Sequence, residues 1–232
     1  LNLEPVSNET CTTPIRADLL QSWQHRSQDP DTEIGPWLKH GAPCGILNFP
    51  KACGIYPEIH DESAHNLDEL EVGTEDFVNY AGIDDDVFAS DEILKHIKSC
   101  HLVAADSIEE LAHIVGGEPI LNKIGIVVKE RAGVIKRRLI LNTKLSKVKI
   151  ASRKCQRVIL PRLLDAVLRT LALMACLVGL GVSIDLLVLD FTEAFWQVPI
   201  APNERRFFGG MITIDGWRQF FVYLRAAQGS RC

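Results

Sequence analysis

Apolar residues are irregularly spaced over the first 88 residues of the chain. Pro, Gly, Asn and Asp recur there, and Trp23 and Trp37 are isolated apolar anchors. Residues 58–88 are acidic, with three consecutive carboxylates at Asp84–Asp86. This pattern predicts an acidic, loop-rich N-terminal region over 1–88, in which Asp84–Asp86 belong to a solvated loop rather than a metal site.

A helical spacing begins at about residue 89. Ser90 precedes apolar residues at helical intervals over 93–97. Ser107 and Glu110 then form a capping box, and a glycine pair starting at Gly116 ends that second segment. Residues 89–120 are therefore predicted to be a helical lead-in to the rest of the chain.

From residue 121 the spacing favours strands and one long helix. The predicted elements are a hairpin over 124–141 with its turn at 130–133, a helix over 162–176 opened by Pro161, a buried strand over 184–189, a short helix or turn over 202–208, and strands over 211–214 and 217–223 joined by Asp215-Gly216. The fold class predicted is α+β, with an antiparallel sheet and packed helices.

Residues 171–189 are nearly all apolar, and their number alone would allow a membrane span. Gly179, Gly181 and Asp185 interrupt the run, which favours a helix, a glycine turn and a buried strand. The N-terminus has neither a basic region nor an apolar signal core. An intracellular location, cytoplasmic or nuclear, is predicted.

Cysteine and histidine spacings exclude two classes of small domain. The seven cysteines are odd in number and include no Cys-x-x-Cys pair, which excludes a disulfide framework and a zinc ribbon. His96, Cys100, His101 and His113 match no zinc signature either, so these histidines are expected in the core or at the surface.

Charge is divided unevenly between the two halves. Residues 1–120 contain 6 Lys and Arg against 23 Asp and Glu, whereas residues 121–232 contain 19 against 7. A basic half indicates contact with a polyanion such as nucleic acid, and the alternative is that the two halves neutralise each other within one fold.

The predicted hairpin and the residues after it form the densest basic stretch. Cations on a stiff hairpin suit phosphate contact, and the alternative is that they protect an edge strand. The continuation of the stretch beyond the hairpin favours nucleic acid. The candidate residues are Lys129, Arg131, Lys136, Arg137, Arg138, Lys144, Lys147, Lys149, Arg153, Lys154 and Arg157.

Asp190 ends the apolar run 184–189 and is followed by the aromatic pair Phe195-Trp196. A carboxylate at the end of a buried strand either holds a metal ion at the rim of a sheet or caps the next helix. These residues alone leave both readings open.

Taken in order, the basic hairpin, the helix, the strand ending at Asp190, the aromatic pair, the second hairpin and Gln228-Gly229 resemble the fingers and early palm of a reverse transcriptase. Such RNA-directed DNA polymerases are encoded by retrotransposons and retroviruses. The resemblance covers roughly residues 121–232, and its most specific segment is 189–199. It implies reverse-transcriptase-like fingers and an incomplete palm.

The resemblance implies roles for the residues around Asp190. In the family the aspartate at this position binds two catalytic Mg²⁺ ions, with the carbonyl of Phe191 as a second contact. Glu193 and Ala194 would lie beside the triphosphate. Phe195 would be the steric gate that selects deoxynucleotides.

Further family positions fall on the basic hairpin and near the end of the sequence. Lys129 and Arg138 would hold the triphosphate, and Gln228 and Gly229 would lie beside nucleotide and template. Asn142 stands where the family commonly has Asp, which is a departure from the pattern.

The family also needs a Tyr-x-Asp-Asp motif, which does not occur in these 232 residues. The sequence is therefore expected to be a truncated reverse transcriptase that is inactive as it stands. Implied partners are an RNA or DNA template-primer, deoxynucleoside triphosphates and the remainder of a retroelement polyprotein, but no membrane. The alternative is a non-catalytic nucleic-acid-binding protein that uses the basic fingers surface.

Overall fold

The computed structural model describes residues 13, 15–59, 67–177, 179–186 and 192–226. The α-helices are α1 (Ala17–Ser27), α2 (Ile34–His40), α3 (Val87–Lys98), α4 (Ile108–Val115), α5 (Val148–Ala151) and α6 (Leu163–Leu177). The strands are β1 (Leu102–Ala105), β2 (Lys123–Arg131), β3 (Val134–Asn142), β4 (Gly209–Ile214) and β5 (Trp217–Tyr223). Short 3-10 helices cover Leu67–Glu69, Ala194–Gln197 and Pro202–Phe208. The mixture of helices and antiparallel strands confirms the predicted α+β class.

The strands form two antiparallel sheets. One has the order β1-β5-β4, and the other is the hairpin β2-β3. In the first sheet β1 pairs Leu102 with Tyr223, so a strand from the predicted lead-in completes a sheet begun by the last hairpin. The turn of that hairpin, Asp215-Gly216, has positive φ at both residues, as its sequence predicts.

Alternate residues of β5 build two hydrophobic clusters on the two faces of the three-stranded sheet. Phe221 and Tyr223 belong to the larger cluster, which contains Ile93 of α3. Phe220 belongs to the smaller cluster, which contains Leu111 of α4. All five side chains are at most 2% exposed, and burying each large apolar side chain contributes roughly 1.5–3 kcal/mol. The sheet therefore lies between α3 and α4.

Polar side chains cap the N-termini of α3 and α4. Ser107 accepts a hydrogen bond from the Glu110 N–H and starts α4 as predicted. Helix α3 begins at Val87, earlier than the predicted start after Ser90, because Asp86 accepts hydrogen bonds from two N–H groups of the first turn. The acidic Asp84–Asp86 run is thus partly a helix cap, and the Asp84 carboxylate accepts a hydrogen bond from the Thr213 N–H at 2.9 Å.

A buried carboxylate joins residues 42–48 to the C-terminal half. Glu204 lies in the 3-10 helix Pro202–Phe208 with no exposed surface. Its carboxylate accepts hydrogen bonds from a run of backbone N–H groups, those of Cys44, Ile46, Leu47 and Asn48. Ala42 also pairs with Ile200 in a β-bridge. Residues 44–48 therefore bind a carboxylate that lies 156 or more positions later in the sequence.

Helix α6 matches the predicted helix over 162–176 to within one residue, but none of its residues is buried. Gly179 and Gly181 have φ of +92° and +64°, which confirms the predicted glycine break. The prediction of a buried strand over 184–189 is wrong for its described part, because Ile184–Leu186 is not a strand and Leu186 is 79% exposed. This segment lines a cavity with the C-terminal half of α6 and pairs with no strand in the described part of the chain.

Among the described helices, none is both long enough and apolar enough to cross a membrane. Helix α6 has only 15 residues before the glycine break.

Candidate nucleic-acid interface

The β2-β3 hairpin places four exposed cations on one face. Its register puts Lys129 opposite Lys136, Arg131 opposite Val134, and Val127 opposite Arg138. Directly opposed residues of an antiparallel pair share a face, and every second residue of each strand returns to it. Lys129, Arg131, Lys136 and Arg138 therefore form one exposed surface, the cation face. The same four side chains line an open cavity of about 440 Å³.

The opposite face anchors the hairpin through apolar residues near its base. Ile124 and Leu141 are opposed and nearly fully buried, and both belong to the larger hydrophobic cluster. Ile126 and Leu139 are the next opposed pair and pack against that cluster. Because this face is held in the core, the cation face is directed away from it.

Arg137 lies on the anchored face and is engaged within the chain. Its guanidinium donates a hydrogen bond to the Asp86 carboxylate, and it lies 4.6 Å from the centroid of the Phe88 ring. Desolvation works to raise the pKa of Asp86, but the hydrogen bond and charge of Arg137, together with the Ala89 N–H, leave that pKa below its ordinary value. Arg137 thus ties the hairpin to the first turn of α3.

The basic residues beyond the hairpin do not share one environment. The Lys147 ammonium lies 3.4 Å from the Glu69 carboxylate, and the Arg153 guanidinium lies 5.0 Å from the Phe49 ring centroid. The other members of the predicted track, Lys144, Lys149, Lys154 and Arg157, are exposed. Two members of the basic stretch, Lys147 and Arg153, therefore have contacts within the chain.

The segment after Asp190 forms a short 3-10 helix, Ala194–Gln197. Glu193 precedes it with φ of 52°, and its carboxylate lies 3.7 Å from the Lys95 ammonium. Phe195, the predicted steric gate, is 51% exposed, and Ala194 is also exposed. Four other predicted site residues, Asp190, Phe191, Gln228 and Gly229, lie outside the described residues.

A stack of rings holds this 3-10 helix against the body of the protein. The Trp196 ring lies 3.8 Å from the ring centroid of His96 in α3 and 5.6 Å from that of Tyr223 in β5. His96 is buried, and its Nδ1 lies 3.0 Å from Nδ1 of His101. Burial, followed by the charge of His101, lowers the pKa of His96 to about 4.

Tyr80 is a further candidate that the sequence did not single out. Its hydroxyl accepts a hydrogen bond from the Asn142 amide at 2.6 Å, and the Lys123 ammonium lies 5.3 Å from its ring centroid. Lys123 and Asn142 are opposed at the base of the hairpin, on the same side as the cation face. A lone tyrosine in an acidic stretch has no local pattern that indicates this contact.

The described side chains include no group of three or more His, Cys, Asp or Glu arranged to hold a metal ion. The predicted Mg²⁺ ligands Asp190 and Phe191 are not among them.

Comparisons with known proteins return no relative of this chain. No protein-family model matches it, and neither the curated proteins nor the solved structures contain a match.

Proposed function

We propose that this chain carries the fingers and part of the palm of a reverse-transcriptase-type polymerase, and that its cation face binds phosphates of nucleic acid and of nucleoside triphosphates. The observation that supports this proposal is the clustering of Lys129, Arg131, Lys136 and Arg138 on one side of a two-stranded hairpin. The polymerase part rests on the sequence resemblance over residues 121–232.

The pairing of like charges favours ligand binding over edge protection. Lys129 lies directly opposite Lys136, and like charges in that position destabilise an antiparallel pair. Charges that only protect an edge strand have no need to share a face. A bound polyanion offsets this repulsion, and the arginine forks of Arg131 and Arg138 suit phosphate oxygens.

In this proposal Asp190 and the carbonyl of Phe191 bind magnesium, and Glu193, Ala194 and Phe195 lie beside the nucleotide. Magnesium there would neutralise charge on the phosphates of the reacting nucleotide.

The cation face is tested by the salt dependence of binding to a single-stranded oligonucleotide, followed by fluorescence anisotropy. Log K falls as log salt rises, and each lost phosphate contact makes this negative slope less steep by about 0.7 for single strands. The double variant Lys129→Gln/Lys136→Gln should therefore make the slope less steep by about 1.4.

The matched control is Arg137→Gln, which removes one charge from the same strand on the anchored face. We expect this variant to leave the slope unchanged, because Arg137 is bound to Asp86. An unchanged slope in the double variant, or an equal reduction per charge in the control, would show that the phosphates bind elsewhere.

The second candidate function is a non-catalytic nucleic-acid-binding protein, which the same cation face supports. The two functions differ at Asp190. If Asp190→Asn abolishes magnesium-dependent binding of a fluorescent deoxynucleoside triphosphate while nucleic-acid affinity is retained, the polymerase ancestry of the site is supported. If the variant changes neither, the non-catalytic function is favoured.

A further inference from the structure

We propose that Tyr80 and Gly125 form a stacking pocket for an unpaired nucleobase at the base of the β2-β3 hairpin. This inference rests on the proposed function, because it extends the cation face into a site for single-stranded nucleic acid. Tyr80 lies outside the residues that carry the sequence resemblance, in the acidic N-terminal region.

The pocket is a cavity of about 340 Å³ on the same side of the hairpin as the cation face. Its lining includes Tyr80, Gly125, Val127, Ile140, Asn142 and Lys144. Gly125 is opposite Ile140, one step along the strands from the Val127 and Arg138 pair. The pocket and the cation face are therefore adjacent parts of one surface.

Gly125 has no structural reason to be glycine. It is absent from the residues with positive φ, so its backbone conformation suits any L residue. A Cβ built on it would meet no atom within 4 Å, so no neighbouring group requires the space. Glycine inside a strand weakens the strand and often marks the close approach of a ligand. Because Gly125 has no side chain, the space above its backbone is open and is part of the cavity.

The lining fits a nucleobase whose sugar has a phosphate on each side in the strand. Val127 and Ile140 contribute apolar side chains, and the Tyr80 ring forms an aromatic wall. Lys144 is one of the lining residues, and Arg138 of the cation face is the neighbour of Ile140 on the same face of β3. A base of a single strand has an apolar face and a phosphate on each side, and such bases stack on aromatic side chains. A base in a duplex is already paired and stacked, and has no free face to offer.

Hydrogen bonding within the pocket indicates little discrimination between bases. The Asn142 side chain donates to the Tyr80 hydroxyl and accepts from the Lys144 N–H at 3.0 Å. Both ends of this amide are therefore engaged within the chain. Recognition is then by ring contact, which every base can make.

The test compares three DNA ligands of equal length by fluorescence anisotropy: oligo(dT), an abasic single strand and a duplex. The abasic strand has the same phosphates without bases. We expect the unmodified chain to bind oligo(dT) roughly tenfold more tightly than the abasic strand, within the range that base stacking on an aromatic ring gives.

Two variants remove the pocket by different means. Gly125→Val fills the cavity with a side chain that strands favour and leaves every charge in place. Tyr80→Ala removes the aromatic wall, whereas Tyr80→Phe keeps the ring and is the matched control. We expect Gly125→Val and Tyr80→Ala to bind oligo(dT) only as tightly as they bind the abasic strand. Tyr80→Phe should keep the tenfold preference for oligo(dT) over the abasic strand. Circular dichroism checks that each variant is folded.

Equal affinity of the unmodified chain for oligo(dT) and the abasic strand would overturn the pocket, as would an intact preference in folded Gly125→Val or tighter binding of the duplex than of oligo(dT). Failure of the cation face has a different signature. In that case Lys129→Gln/Lys136→Gln would leave the affinity for the abasic strand unchanged, whatever the preference for bases.

Discussion

At the scale of single residues, charged side chains with similar sequence contexts have unlike environments. Arg137 and Arg138 are neighbours in β3, yet Arg137 is bound to Asp86 and Arg138 lies on the cation face. Glu204 follows a loop like many other acidic residues, yet it is fully buried. The strand register and the backbone N–H groups of residues 44–48 determine these differences.

Glu204 gives a prediction about stability. Glu204→Gln replaces a carboxylate that accepts several N–H bonds with an amide whose nitrogen is itself a donor. We expect the free energy of unfolding to fall by about 3 kcal/mol, because hydrogen bonds to charged groups are strong and an unsatisfied buried donor is costly. Urea unfolding followed by circular dichroism measures the change.

The control for this experiment is Glu118→Gln, which makes the same chemical change at an exposed position. It should change the free energy of unfolding by less than about 0.5 kcal/mol. A similar small change in Glu204→Gln would show that the buried carboxylate is not a main support of residues 44–48.

At the scale of elements, the two hairpins follow directly from local sequence. The turn of β2-β3 is the two-residue pair Ala132-Gly133, with φ of 52° and 75°, which is tighter than the predicted turn over 130–133. The flanking strands twist in a way that suits two residues with positive φ. Ala132 has to adopt that conformation although its Cβ disfavours it.

This strained alanine predicts a stabilising substitution. Ala132→Gly should raise the free energy of unfolding by about 0.5–1 kcal/mol, because glycine adopts positive φ without steric cost. Gly133→Ala, its matched opposite in the same turn, should lower it. Thermal unfolding would measure both. Shifts of the same sign in the two variants would mean that the turn does not keep this geometry in solution.

At the scale of the whole molecule, contacts between distant elements hold residues 194–197, part of the predicted nucleotide site, against α3 and β5. Trp196 connects the 3-10 helix Ala194–Gln197 to α3 and β5 through its stack with His96 and Tyr223. In contrast, α6 exposes a series of large apolar side chains, including Leu163 at 82% and Leu168 at 55%. No local pattern distinguishes an apolar helix that is covered from one that is exposed.

The burial of His96 predicts that the free energy of unfolding depends on pH. The unfolded chain takes up a proton at His96 as the pH falls through about 6.5, whereas the folded protein resists until about 4. The contribution of His96 to the free energy of unfolding is therefore fully present above its unfolded-state pKa of about 6.5, and it is lost as the pH falls towards its folded-state pKa of about 4. We expect a loss of about 2 kcal/mol between pH 7 and pH 5 from this group.

His96→Gln should remove this part of the pH dependence, as measured by urea unfolding at both pH values. Glu92, Lys95, His101 and Glu193 also face His96, and they remain in the variant. His113→Gln, at an exposed position, is the control and should leave the pH dependence unchanged. An equal loss in the unmodified chain and His96→Gln would assign the pH dependence to other groups.

The sequence by itself was sufficient for the elements whose pattern is local. The capping box at Ser107, the glycine break after α6, both hairpins and the α+β class depend on residues within a few positions of each other. The resemblance to reverse transcriptases also comes from sequence alone, and it stays a proposal together with the roles of Asp190 and its neighbours.

Only the tertiary structure decided which charged residues are available to a ligand. It buried Glu204, tied Arg137 to Asp86, placed Tyr80 and Gly125 in the lining of one cavity and left Ile184–Leu186 outside a sheet. A carboxylate or guanidinium acquires its partner through contacts between residues far apart in the chain. A segment outside a hairpin, likewise, becomes a strand only where a distant backbone is present to pair with it, and no local pattern specifies that backbone.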